Sequence, residues 1–150
     1  MNSLKKGKRF ELFTAHLLSK SFGVKFMRVP MSGAFQTSHK SHNPVFSGDV
    51  FTEDEKFNRI FRVVIECKRI KSLGRKKNVL DLAVVKRWID QCVRESRGMN
   101  TWLFFKADYK PAQVIEILNE NGKVTILPPV NVVDFLKNKK NIYESEVPNT

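Results

Sequence analysis

The chain has 150 residues, 27 of them Lys or Arg against 15 Asp or Glu, for a formal charge of +12 and a pI near 9.9. That length suits one domain with a core of its own, and the charge points to a polyanionic partner, because a basic surface gains attraction to phosphates and releases their counterions. No signal peptide or membrane span is expected, since the basic run Met1 to Arg9 leads into an amphipathic stretch broken by Glu11 and His16. The expected compartment is therefore the cytoplasm, or the nucleoid within it. Cys67 and Cys92 stand in apolar patterns without metal-ligand spacing and read as buried free thiols.

The first element expected is a helix from about Lys5 to Phe22, striped by Phe10, Phe13, Leu17, Leu18 and Phe22 and stopped by Gly23. Glu11 lies beside that stripe and is expected to face the edge of a sheet; the alternative is a helix acid in solvent. Val24 to Val29 reads as a first strand ended by Pro30. From Met31 to Ser47 the hydrophobic pattern stops and Ser, Gly, His, Asn and Pro dominate, which in a compact domain marks a functional or mobile loop. His39 and His42 in this loop have no acid close by and read as DNA-contacting or exposed rather than as metal ligands.

Asp49 to Thr52 is expected as a short second strand, Glu53-Asp54-Glu55 as a turn, and Phe61 to Lys68 as a third strand. Alternation along that strand puts Glu66 and Lys68 on one face and leaves Phe61, Val63, Ile65 and Cys67 for a core. Asp49 and Glu66, with Lys68 at the strand end, form a candidate divalent-metal site for cutting phosphodiesters. The loop that follows carries Arg69, Lys71, Arg75, Lys76 and Lys77, a run whose place beside the strand end suits it to binding phosphates.

A second helix is expected from about Asp81 to Ser96, burying Val85, Trp88, Ile89 and Cys92 and carrying Gln91 as a candidate support for the site. Thr101 to Phe105 reads as a central strand. Pro111 reads as the start of a short third helix through Val114, Ile115 and Leu118, closed by Gly122. Val124 to Leu127 is the last strand, and Asn131 caps a final helix through Leu136. From Asn138 the chain is polar, and residues 139–150 are expected as a flexible tail. The order predicts an α/β domain with a mixed central sheet flanked by helices. Phe104 and Phe135 stand open between core and a dimer surface.

Acid-x-Lys triplets occur three times, at Asp54-Glu55-Lys56, Glu66-Cys67-Lys68 and Asp108-Tyr109-Lys110. The first has no apolar strand leading into it, and the third precedes Pro111 and reads as a helix start. Only Glu66 combines an apolar strand, alternation and an upstream Gly48-Asp49 pair.

Asp49, Glu66 and Lys68 resemble the signature of the PD-(D/E)XK nuclease superfamily, with Gly48 where the pattern often has proline. Within it the chain is most similar to archaeal-type Holliday-junction resolvases, through Lys6-Gly7-Lys8-Arg9-Phe10-Glu11, Arg28-Val29-Pro30-Met31-Ser32-Gly33 and Trp102-Leu103-Phe104-Phe105-Lys106. The stretch between Ser32 and Asp49 is longer than that family's loop. The resemblance implies a restriction-endonuclease-like fold and a homodimer that cuts four-way DNA junctions with Mg²⁺, for which Mn²⁺ substitutes. It further implies that Asp49, Glu66 and the backbone carbonyl of Cys67 hold the metal and that Glu11 adds a metal or water ligand. Lys68 would orient the attacking water, and Ser32, otherwise an ordinary turn serine, would contact the phosphate backbone. Other nucleases of the superfamily acting on linear DNA, and a non-catalytic DNA-binding module, are the alternatives.

Overall fold

The computed structural model describes residues 3–30, 48–75 and 78–147. Ser32, His39, His42, Lys76 and Lys77 lie outside the described residues, as does the whole stretch 31–47. Helix α1 (Ser3–Phe22) buries Phe10, Thr14, Ala15, Leu18 and Phe22 on one face. Phe13, expected in that stripe, is 49 % exposed, because the buried face follows the four-residue steps Phe10, Thr14, Leu18 and Phe22 and carries Phe13 past its edge. Strands β1 (Phe26–Arg28) and β2 (Val50–Thr52) pair antiparallel.

Two elements differ in type from the sequence reading, each for a local reason. The acidic segment expected as a turn starts helix α2 (Glu55–Phe61): Asp54 caps it by accepting from the Phe57 N–H at 2.8 Å, and Phe57 is buried. Phe61 therefore belongs to α2, and the strand carrying the acids, β3 (Val63–Ile70), begins two residues later. The helix expected from Pro111 is instead strand β5 (Gln113–Glu120). Its short apolar run suits either period, and the β-branched Val114, Ile115 and Ile117 fill the sheet's two faces. Asn121 and Gly122, both at positive φ, then turn the chain directly into β6 (Lys123–Ile126), so Gly122 closes a hairpin rather than a helix.

Helix α3 (Ala83–Glu95), after a 3₁₀ turn at Val79–Asp81, crosses from β3 to β4 (Asn100–Ala107), which run parallel with Val63 opposite Asn100 and Ile70 opposite Ala107. The sheet order is β1-β2-β3-β4-β5-β6, with the short β7 (Val130–Asn131) also pairing β5, and every neighbouring pair except β3-β4 is antiparallel. This is the expected mixed α/β sheet. Strand β4 is sandwiched: Trp102 and Phe104 face α1 and the last helix, while Leu103 and Phe105 face α3. Phe104 and Phe135 are both buried and so form core, not a dimer surface. Cys67 and Cys92 are buried free thiols as expected. Among the described residues no helix is long and apolar enough to cross a membrane.

Helix α4 (Val132–Glu146) is capped by Asn131 as expected but runs ten residues past Leu136, through most of the segment expected to be loose. Two side chains anchor this extension. Lys139 pairs with Glu116 at 2.8 Å, and Tyr143 stacks on Phe61 with centroids 6.0 Å apart and meets Phe22 edge-on. Tyr143→Ala is expected to cost about 2 kcal/mol, less than for a wholly buried ring, and to lower Tm by roughly 4–8 °C in a thermal melt. An unchanged Tm would show that the end of α4 adds nothing to the core.

Candidate active site

The centre of the site is a backbone arrangement at the junction of β1, β2 and β3. The Asp49 N–H donates to the Ile65 carbonyl at 2.8 Å, and its own carbonyl accepts from the Val29 N–H at 2.9 Å. Its carboxylate then accepts from the Cys67 N–H at 2.8 Å. Gly48 makes this approach possible. It sits at φ +89° and is bridged to Ile65, and a Cβ there would lie 2.5 Å from the Ile65 oxygen and 2.9 Å from Val64 Cγ1. A proline, with φ near −65°, does not fit this conformation, so the departure from the superfamily pattern is built into the local geometry.

Strand alternation puts Glu66 and Lys68 on the face covered by α3, opposite Leu103 and Phe105 of β4. Lys68 Nζ donates to Gln91 Oε1 at 3.2 Å, and Gln91 Nε2 donates to Glu95 at 3.3 Å. Gln91 thus stands where the sequence reading put it. Glu95, one turn further along α3, was missed, although its i+4 spacing from Gln91 marks the same helix face.

Glu11 reaches toward the other side of the acids from α1. Arg28 Nε donates to it at 2.6 Å, and both side chains are largely buried. Burial pushes the Glu11 carboxyl up, the Arg28 hydrogen bond pulls it down, and the charge of Asp49 raises it again. The ion pair turns Glu11 inward, and Arg28, basic in the sequence but unassigned there, is what holds it. Thr14, also unassigned, is buried on the same helix and pulls the Cys67 thiol down against the effect of burial.

Glu66 has the strongest electrostatic perturbation. It is 8 % exposed, and burial first, then the Asp49 charge and a side-chain hydrogen bond with Asp49, push its carboxyl well above the usual range; Lys68 opposes this and Glu95 adds to it. Burial likewise pushes the Cys67 thiol well up and the Cys92 thiol up to about 12, so neither is a ready nucleophile. Four carboxylates, Glu11, Asp49, Glu66 and Glu95, therefore act along the β3 end, opposed among the described residues by Arg28, Lys8 and Lys68.

Such a cluster of hard oxygens, short of positive charge, suits a divalent cation such as Mg²⁺. Asp49 and Glu66 supply two carboxylates. The Cys67 carbonyl leaves β3 on the same edge as its N–H, the edge that faces Asp49. No group of three or more His, Cys, Asp or Glu side chains is close enough to hold a metal among the described residues. The fit thus rests on two carboxylates and a backbone oxygen, the sparse protein ligand set that Mg²⁺ accepts because it keeps several waters.

The basic run divides. Lys71 and Arg75 are exposed in the loop after β3. Arg69 instead points to the α1 face and pairs with Asp108 at 2.6 Å, and Lys6 pairs with the same carboxylate at 2.8 Å. These two cations hold the Asp108 carboxyl below its usual range. Asp108 lies in the β4-β5 turn rather than at a helix start, and its triplet is an ion-pair anchor.

A family model described as "Phage putative PDDEXK endonuclease" matches residues 2–147. Among curated proteins, Protein D14 of Escherichia phage T5 is 31% identical over 112 residues, which are 72% of this chain. The chain spans 66% of the length of that relative. No solved structure matches the chain.

Proposed function

The chain belongs to the family of phage PDDEXK endonucleases, and we propose that it is a Mg²⁺-dependent DNA endonuclease, a single nuclease domain that works as a homodimer on four-way junctions in the cytoplasm or nucleoid. One observation carries the reading most: the hydrogen bond from the Cys67 N–H to Asp49, which brings Asp49, Glu66 and the Cys67 carbonyl to one strand end with Lys68 beside them. Asp49 and Glu66 would hold Mg²⁺, or Mn²⁺ in its place, with the Cys67 carbonyl and with Glu11 as a further metal or water ligand. A divalent cation there supplies Lewis acidity to the scissile phosphate and lowers the pKa of a water.

The residues of the chain do the rest. Lys68, steadied by Gln91, presents a compact cation that orients the attacking water and offsets the charge growing on the phosphorus oxygens. Arg28 keeps Glu11 turned inward, and the packing of α1 and α3 on the two faces limits water at the acids. Lys71 and Arg75, with Lys76, Lys77 and Ser32, would contact the DNA backbone. The junction reading is supported by the resolvase-like order of motifs from Lys6 to Lys106, and the dimer follows from its chemistry, since paired cuts need two sites related by a twofold axis.

Purified protein with Mg²⁺ is expected to cut a synthetic four-way junction at paired positions and to spare linear duplex of the same sequence. Equal cutting of both replaces the junction reading with a nuclease of linear DNA, and binding without cutting in Mg²⁺ or Mn²⁺ leaves a DNA-binding module. Lys68→Ala is expected to lower cleavage by roughly 10²–10³-fold while the gel shift of the junction persists.

A further inference from the structure

A groove of about 400 Å³ opens on the α1 face of the sheet, lined by Lys6, Arg9, Phe10, Phe13, Arg69 and Lys106. Its position follows from two periodicities. Lys6, Arg9, Phe10 and Phe13 follow one another along one face of α1, and Arg69 and Lys106 are cross-strand neighbours at the ends of β3 and β4. Arg69 directly follows Lys68, and alternation turns their side chains to opposite faces, so the groove opens beside the same strand end as the proposed catalytic lysine but on the α1 face.

Three features of the groove are unusual together. Phe13 is 49 % exposed and lies nearly parallel to the buried Phe10, rings 22° apart with centroids at 6.3 Å, so Phe10 backs Phe13 while much of the Phe13 ring is open. Four cations rim the groove, and Asp108 engages two of them, Lys6 and Arg69. Among the described residues the Arg69 Nε–H is buried without an acceptor, a costly omission that an anionic oxygen entering the groove relieves once the guanidinium turns.

We propose that this groove binds an unpaired nucleotide of single-stranded DNA, its base stacked on Phe13 and its flanking phosphates held by Arg9, Lys106 and Arg69. The proposal takes its nucleic-acid class from the endonuclease reading and adds to it a substrate feature, a single-stranded segment leaving the cleavage point. Duplex bases are already stacked on one another and have no face for Phe13, whereas an unpaired base gains from an aromatic platform set among cations. The volume lies in the range of small-ligand sites and suits one nucleoside rather than a helix.

The test is fluorescence anisotropy in EDTA, where nothing is cut, with a short labelled oligothymidylate and its duplex with oligodeoxyadenylate as probes. Wild type is expected to bind the single strand in preference to the duplex. Phe13→Leu, which keeps apolar cover over Phe10, should weaken single-strand binding about tenfold or more and leave the duplex within about twofold. Phe13→Tyr should restore it, and Lys106→Ala should weaken both probes and flatten their salt dependence. Single-strand binding unchanged in Phe13→Leu, equal loss of both probes in that variant, or displacement by polyglutamate as effective as by oligothymidylate would each overturn the proposal. Cleavage with Mg²⁺ is read separately. Phe13-dependent binding by a protein that never cuts supports the groove while removing the nuclease, and unchanged binding in Phe13→Leu by a protein that cuts removes only the groove.

Discussion

Glu66→Gln is expected to lower cleavage by roughly 10³-fold or more while raising the stability of the metal-free protein at neutral pH. The loss follows from removing one of the two proposed carboxylate ligands: a metal contributes several kcal/mol to a phosphoryl-transfer transition state, and each 1.36 kcal/mol is about tenfold in rate. The gain follows from the same carboxylate. In the folded chain burial and Asp49 push Glu66 well above its ordinary value of 4.5. Between those two values the native state holds a proton that the unfolded state has released. The stabilising contribution is therefore fully present below pH 4.5 and is lost as pH rises through the raised folded value.

Glutamine keeps the shape, stays neutral and can donate to Asp49, so the variant escapes that loss. Melts of EDTA-treated protein across pH should show wild-type Tm falling with rising pH and the variant nearly flat, with the variant melting higher at neutral pH. Mg²⁺ should then stabilise wild type more than the variant. Parallel pH profiles in the absence of metal would show that the acid cluster carries no strain.

Gly48→Ala is expected to damage both fold and site, and Gly48→Pro, which brings the chain closer to the superfamily pattern, to be worse. A Cβ at this position meets a backbone oxygen at 2.5 Å, and neither the Ile65 carbonyl nor the strand behind it can retreat without breaking the bond from Asp49. The left-handed φ adds its own cost for any L side chain and cannot be adopted by proline. Together these cost about 3 kcal/mol or more, a fall in Tm of roughly 6–12 °C. Displacement of Asp49 should also lower cleavage and weaken Mg²⁺ binding, measured by calorimetry, even at temperatures where the variant stays folded. A proline variant with wild-type stability and cleavage would show that this backbone relaxes freely.

The mixed fold and the order of most elements were legible because their periods are unambiguous: α1 and α3 at helical spacing, and the apolar entry into Glu66. Local ambiguity caused the misreadings. Val114 to Leu118 fits a helix or a strand, and Pro111 as a helix start competes with Asn121-Gly122 as a hairpin turn. The continuation of α4 through a polar stretch depends on Lys139 and Tyr143 finding Glu116 and Phe61, partners far along the chain.

By itself the sequence determined which residues share a strand or helix face, and so it placed Glu66 with Lys68 and set Asp49 close upstream, because alternation and spacing are properties of consecutive residues. Only the tertiary structure decided that Asp49 bonds the Cys67 backbone, that Arg28 holds Glu11, that Glu95 joins the acids, and that Arg69 leaves its basic run to face Phe13 across a groove. Each of those is a meeting of side chains from different elements, set by sheet register and helix packing, which no local period encodes.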